Sequence, residues 1–384
     1  MPRIRELGIY DSALPPGPRN AISDVADVTV GHFTLHTGAS DTGPAWRPGN
    51  GPFRTGVTLV IPHGGNLYED KVVAAVHTIN GFGKPHGFEQ VRELGLLETP
   101  IALTGTLNVP RVADALISLA IEQNPHIGAG FAESGWGGYA SVNPLVGETS
   151  DGYLSDLQGR PLGLNEVRAA LAAASADVAE GAVGAGTGTS CYGWKGGIGT
   201  ASRVVEGDLT PRSQSTPRRE FSRPTSRSWR EVSFTVGALV QTNMGRAEEL
   251  VICGVPVGDY LRPPSEAAPQ GSSIMIVLAT DAPLDSRGLG RLAARAAFGL
   301  ARTGTPGHGG SGDFVIAFST AAPGATIHEQ PLMDAFALAV VESVEEAIYN
   351  SLLMAHTVVG RQGHTRHALP ADEVARLVRV HRTF

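Results

Sequence analysis

Short apolar and β-branched runs recur along this chain, each bounded by glycine or other small residues: Val25–Val30, Val57–Ile61, Tyr139–Val142, Phe234–Thr242 and Ile274–Ala279. Runs of this length and composition predict strands. Between them lie segments with an apolar period near 3.6, which predict helices. These are Asn108–Gln123, the alanine-rich Leu164–Ala179, Leu289–Arg302 and the long Leu332–Val359. Asp285 or Ser286 can cap the third of them. The pattern predicts a mixed α/β chain whose sheets are covered by helices.

One stretch breaks the pattern. Glu206–Glu231 is rich in Ser, Thr, Pro and Arg, with six arginines between Arg212 and Arg230 and almost no aliphatic residues. It reads as a solvated loop or disordered insertion between two strands. No internal repeat is evident, and 384 residues with 42% hydrophobic content suffice for one large domain, 1–384. The net charge of −7 argues against a nucleic-acid partner. No apolar run reaches the ~18 residues of a membrane span, and the N-terminus lacks a secretion signal. A soluble cytoplasmic protein is expected.

Most chemistry-bearing motifs are missing. The 12 histidines are scattered without HExxH spacing, and Cys191 and Cys253 form no CxxC, so no metal site is expected. Gly181–Gly199 contains neither a GxxxxGK[ST] loop nor a fitting GxGxxG. It reads either as backbone that must approach a ligand or another strand, or as a run of tight turns. Gly309-Gly310-Ser311-Gly312 lacks the spacing of a nucleophile elbow.

The informative pattern is Pro269 through Asp281, PQGSSIMIVLATD, where a small-residue linker with two hydroxyls runs into an apolar strand. A serine at the head of a strand can act as an N-terminal nucleophile once the preceding peptide bond is cut. Its hydroxyl attacks that carbonyl, an N→O shift gives an ester, and water releases an α-amine of ordinary pKa about 7.7–8.0. That amine can then serve its own hydroxyl as base. A plain Gly-Ser turn before a core strand would show the same pattern.

Ordered blocks across nearly the whole chain resemble the DmpA-type self-processing aminopeptidases, peptidase family S58. They include Asn20-Ala21-Ile22-Ser23-Asp24-Val25, Pro62-His63-Gly64-Gly65-Asn66, Val146-Gly147-Glu148-Thr149, Lys195 through Arg203, Val240 through Gly245, Ser273 through Leu284, and Ser311-Gly312-Asp313-Phe314. The resemblance implies a four-layer αββα sandwich similar to the N-terminal nucleophile hydrolases and shared with the ornithine acetyltransferases. It also implies self-cleavage into an α chain (about 1–272) and a β chain (about 273–384), no cofactor, and a homo-oligomer, commonly a tetramer, of αβ pairs.

Site roles follow from the same resemblance. Counting back from Ala279-Thr280-Asp281 places the nucleophile at Ser273, whereas cleavage after a glycine would choose Ser272. Strand register favours Ser273, since a one-residue slip turns the side chain to the other face. Asn243 matches an oxyanion-stabilising asparagine, and Glu148 the acid that binds a substrate's α-ammonium group. Ser311 and Asp313 match a pair that orients the new amine, with Asp in place of the Glu of some relatives. Tyr153 is a further candidate, near the oxyanion. The implied substrate is a small peptide, aminoacyl amide or ester. The alternatives are an acyltransferase of the ornithine acetyltransferase type, which would use threonine at the new terminus, and a non-enzymatic binding protein that kept the fold.

Overall fold

The computed structural model describes residues 1–39, 46–129, 140–209, 230–264, 272–322, 326–327 and 330–382. A four-stranded sheet runs in the order β1 (Thr29–Thr37), β2 (Phe53–Ile61), β5 (Ile101–Gly105), β6 (Leu145–Thr149). A six-stranded sheet runs β4 (Leu96–Leu97), β3 (Val72–Gly81), β12 (Ser311–Ser319), β11 (Ser272–Thr280), β10 (Arg230–Asn243), β9 (Ile198–Leu209). Two short hairpins, β7–β8 (Ser190–Cys191 and Trp194–Lys195) and β13–β14 (Val358–Val359 and Thr365–Arg366), lie outside these sheets.

Alternation along β11 explains how the layers stack. Ile274, Ile276 and Leu278 pack into one core with α5 (Ser286–Ala293), α6 (Ala296–Ala301) and α7 (Gln330–Leu353). Met275, Val277 and Ala279 point the other way, into a second core formed with the four-stranded sheet. That core continues through the smaller sheet to α2 (Val109–Gln123) and α3 (Leu164–Ala172) on its outer face. The order is therefore helices, sheet, sheet, helices. A strand buried on both faces needs no polar alternation, so β11 reads as one apolar run. Three further α-helices are found among the described residues, α1 (Phe88–Leu94), α4 (Val257–Tyr260) and α8 (Ala371–Arg382).

Several element boundaries differ from the sequence expectation, some through local turns and caps and one through a distant pairing. Val25–Val30 is mostly not strand: Asp24 accepts from the backbone of Arg19 and Ala21 and holds a turn, so β1 starts at Thr29. Of Tyr139–Val142, Tyr139 lies outside the described residues and the rest is irregular. Pro144 has no N–H for a ladder, and β6 begins after it. The alanine-rich tail of α3 leaves the helix because Ser175 pairs with Val30 at the edge of the small sheet. The expected helix Leu289–Arg302 is two helices, capped by Asp285, whose carboxylate accepts from the Gly288 N–H at 2.7 Å. Tighter three-residue bonds at Arg295 and Phe298 divide them. α7 stops at Leu353, before the turn into β13. The arginine-rich insertion is narrower than its composition suggests, because β9 runs to Leu209 and β10 starts at Arg230; residues 210–229 lie outside the described residues.

Among the described residues no helix is long and apolar enough to cross a membrane, and no three His, Cys, Asp or Glu side chains gather as metal ligands.

Candidate active site

The site forms where β11 begins. Ser273 lies on the same face as Met275, whose methyl fills the space beside Gly147 of the opposite sheet; a Cβ on Gly147 would sit 2.4 Å from it. The Ser273 hydroxyl therefore faces the gap between the sheets. It donates to the carbonyl oxygen of Ser272 at 2.6 Å, and the Gly312 N–H points at it from 3.3 Å. Ser272 alternates to the other face, and its hydroxyl accepts from Gly245 at 3.4 Å. Of the two candidate serines, Ser273 is the one whose side chain lies on the inter-sheet face.

Asn243, the last residue of β10, stands opposite Ser273 in the antiparallel ladder. Its Oδ1 accepts from the Ser190 N–H at 2.9 Å. A backbone N–H can only donate, so this contact dictates the amide's orientation and turns Nδ2 away from Ser190. Among the described residues no protein acceptor takes the Nδ2 donors.

Glu148 approaches from the smaller sheet, on β6 beside Thr104 of β5, and is 4% exposed. Its Oε1 accepts from the backbone N–H of Lys84 at 2.9 Å. The turn carrying Lys84 also reaches β12, the neighbour of β11, since Phe82 N–H donates to Ser311 O at 3.2 Å. Gly83 has no room for a side chain: a Cβ would lie 2.6 Å from the Phe314 ring and 3.1 Å from Glu148 Oε1. The turn Gly81–Lys84 thus spans the two sheets and seats the carboxylate. Sequence reasoning missed it, and the Gly81-Phe82-Gly83 spacing was the only signal available.

Ser311 and Asp313 lie on β12, in register with Ser272 and Ile274. Alternation puts their side chains on the helix side of the sheet, behind the Ser273 hydroxyl. Ser311 donates to Asp313. Burial pushes the Asp313 carboxyl up, opposed by bonds from Ser311 and the Ile274 backbone and by nearby His308. His308 in turn contacts Glu249 at 2.8 Å. The pair is thus brought to the backbone of the strand end, on the face away from the Ser273 hydroxyl.

The structure places Tyr153 beside the C-terminal hairpin. Its ring stacks on His364, centroids 4.7 Å apart, and the Arg366 guanidinium lies 3.7 Å from its centroid. The glycine-rich stretch 181–199 holds backbone against backbone: a Cβ on Gly197 would sit 2.1 Å from Gly181 O, and one on Gly199 1.9 Å from Ala347 O. Within it, buried Lys195 donates to three carbonyls, Gly186, Thr189 and Gly196, at 2.7–2.9 Å, and burial lowers its amine to about 7.

Comparison with known proteins gives the family and the fold. The model of peptidase family S58 matches residues 20–366. The β-peptidyl aminopeptidase of Sphingosinicella microcystinivorans is 37% identical, over 99% of this chain and 93% of its own. The β-aminopeptidase of a Burkholderia species superposes with a TM-score of 0.81 at 36% identity, covering 99% of both chains. The L-aminopeptidase D-Ala-esterase/amidase of Ochrobactrum anthropi, described as a variant of the Ntn hydrolase fold, superposes with a TM-score of 0.80 at 34% identity, covering 100% of this chain and 99% of its own.

Proposed function

This chain belongs to peptidase family S58, and from that premise we propose that it cuts its own Ser272–Ser273 bond and then removes N-terminal residues from short peptides with the serine it has freed. Its activity class is that of an aminopeptidase, a hydrolase of peptide bonds with an N-terminal-nucleophile fold. The observation that carries the self-cleavage is the Ser273 hydroxyl bonded at 2.6 Å to the carbonyl oxygen of the bond to be cut.

In that reading Ser273 Oγ attacks the Ser272 carbonyl carbon, its proton passes to the Ser273 nitrogen that is to leave, and Asn243 Nδ2 donates to the developing oxyanion. Collapse breaks the C–N bond and leaves an ester on Oγ with a free amine on Ser273. Water hydrolyses the ester, giving an α chain of residues 1–272 and a β chain of residues 273–384. During turnover the amine takes the hydroxyl proton and Oγ bonds to the acyl carbon of the substrate's first residue. The scissile C–N bond breaks, and the rest of the peptide leaves as an amine that receives that proton. Water then hydrolyses the ester and frees the amino acid. Ser311 and Asp313, behind the same backbone, orient the amine. Glu148 pairs with the substrate's ammonium group, and an acylated N-terminus brings no charge to that buried carboxylate. This favours removal of terminal residues over cleavage within a chain. Relatives named for β-peptidyl substrates make N-terminal β-amino acids the first substrates to test beside α-amino ones. We further propose a cytoplasmic homo-oligomer of αβ pairs, a tetramer by family resemblance, which light scattering of the purified protein checks.

The test is intact-mass analysis of fresh and incubated protein with N-terminal sequencing of the shorter chain. The expected result is a 112-residue fragment starting at Ser273 (384 − 272) and release of amino acids from aminoacyl p-nitroanilides. A fragment starting at Ser272, or turnover by an uncut chain, overturns the mechanism.

A further inference from the structure

Two hairpins outside the sheets meet behind Asn243. The first, β7–β8, is anchored to the end of β10 by Tyr192 N–H donating to Met244 O at 2.8 Å. It also supplies the Ser190 N–H that holds Asn243 Oδ1. The second, β13–β14, docks on it from the C-terminal end of the chain: Lys195 N–H donates to His367 O at 2.8 Å. Arg366, 1% exposed, donates through Nε to the Ser190 hydroxyl at 2.9 Å. The Tyr153 ring lies against its guanidinium plane.

We infer that Arg366 is a positioning residue which, through Ser190, fixes the amide of Asn243 with its donors toward the reacting carbonyl. Ser190 is gripped at two atoms at once: its hydroxyl by Arg366, its N–H by Asn243. A planar guanidinium seated on an aromatic face has few orientations available, so Ser190 has few as well. If Ser190 drifts, Asn243 Oδ1 loses the donor that orients it and the amide is free to rotate. A rotated amide presents an acceptor where negative charge develops, which removes transition-state stabilisation and leaves ground-state binding alone. Arg366 lies beyond the proposed cut and Ser190 and Asn243 before it, so the β chain sets the geometry of a donor on the α chain. The inference rests on the reading of Asn243 given above.

The experiment is a double-mutant cycle on the processed enzyme, with kcat and KM read on an L-aminoacyl p-nitroanilide. Arg366→Ala is expected to lower kcat about 10–100-fold with KM within about twofold, and Asn243→Ala about 10²–10³-fold. Because the two act as one unit, the double variant is expected to match Asn243→Ala within about twofold. Millimolar guanidinium ion is expected to restore part of the rate of Arg366→Ala and none of that of Asn243→Ala. Losses that multiply, or a raised KM at unchanged kcat, overturn the inference. If Arg366→Ala does not fold, Ser190→Ala takes its place in the cycle, because it removes only the hydroxyl; wild-type kcat in that variant, or multiplied losses, is equally fatal. A wild-type chain that neither cuts itself nor turns over substrate brings down the functional reading and this inference with it. A failed cycle in an active enzyme brings down only the inference.

Discussion

Two buried polar regions of this molecule are built on opposite rules. In the helix layer, Arg203 is fully buried and contacts Glu342 at 3.1 Å and Glu346 at 2.7 Å. Glu346 also holds Arg5 and Asn20, while Glu342 accepts from the backbone of Ala13 and Leu14. The carboxylates there hold several donors each, and the result is a clamp that ties the N-terminal segment to α7 and β9. At the head of β11 the accounting is left open. Asn243 has one end satisfied and the other turned away, the Ser273 hydroxyl touches the bond it would break, and Glu148 is held at one oxygen. Satisfied networks stabilise a fold, whereas a site keeps donors and acceptors in reserve for something that arrives.

Breaking the open region should cost activity at little cost in stability. Ser273→Ala, the largest effect, is expected to stay one uncut chain with turnover lower by about 10⁴-fold or more, at an unchanged melting temperature. Intact mass, kinetics and calorimetry read it together. Breaking the clamp should do the reverse. Arg203→Met takes the cation from buried Glu342 and leaves Glu346 with Arg5 and Asn20. It is expected to lose about 3–5 kcal/mol of stability by denaturant titration, while the folded fraction keeps its kcat. On the proposed mechanism one amide serves both oxyanions, so Asn243→Ala should slow self-cleavage and turnover by the same factor, about 10²–10³. Unequal factors would separate the two steps.

Asp151 sharpens the contrast, as a fully buried carboxyl that burial pushes up to about 6. With the folded value above the unfolded one, the folded protein holds a proton longer, so stability falls as pH rises from about 4 to about 6 and stays lower above that. Asp151→Asn is expected to stabilise by about 1–3 kcal/mol at pH 7 and by nothing below pH 4, as denaturant midpoints across pH would show. Smallest of the set, Gly83→Ala should push on Glu148 and raise KM about tenfold with kcat nearly intact, about 1.4 kcal/mol of binding.

What was legible in the sequence was whatever a strand or a block carries along itself. Ser273 and Asn243 are reached through the family resemblance, and their pairing across the ladder only through the fold, whereas β11 and β10 follow from apolar runs whose period and order survive in one dimension. The ends of α3 and α7 did not, because Ser175 is captured by Val30 and no local breaker marks Leu353. The turn at Gly81–Lys84, Ser190 and Arg366 were invisible for the same reason: each acts on a residue dozens to well over a hundred positions away. The expected place of Tyr153 rested on its nearness in sequence to Glu148, but the chain leaves β6 through a turn and carries the ring to the C-terminal hairpin.

The position of β11 decides what a broken backbone means here. It is flanked by β10 on one side and β12 on the other, and β12 in turn by β3, so the two fragments would be woven through one sheet, N-terminal and C-terminal strands interleaved. Scission before Ser273 therefore liberates a terminus without liberating a piece. Only the uncut polymer has to find this arrangement as a single chain; pulled apart afterwards, the halves face a concentration-dependent reunion of two strangers. Maturation would thus trade reversibility for a working amine, and the mature enzyme would endure by slow unravelling instead of by the ability to refold.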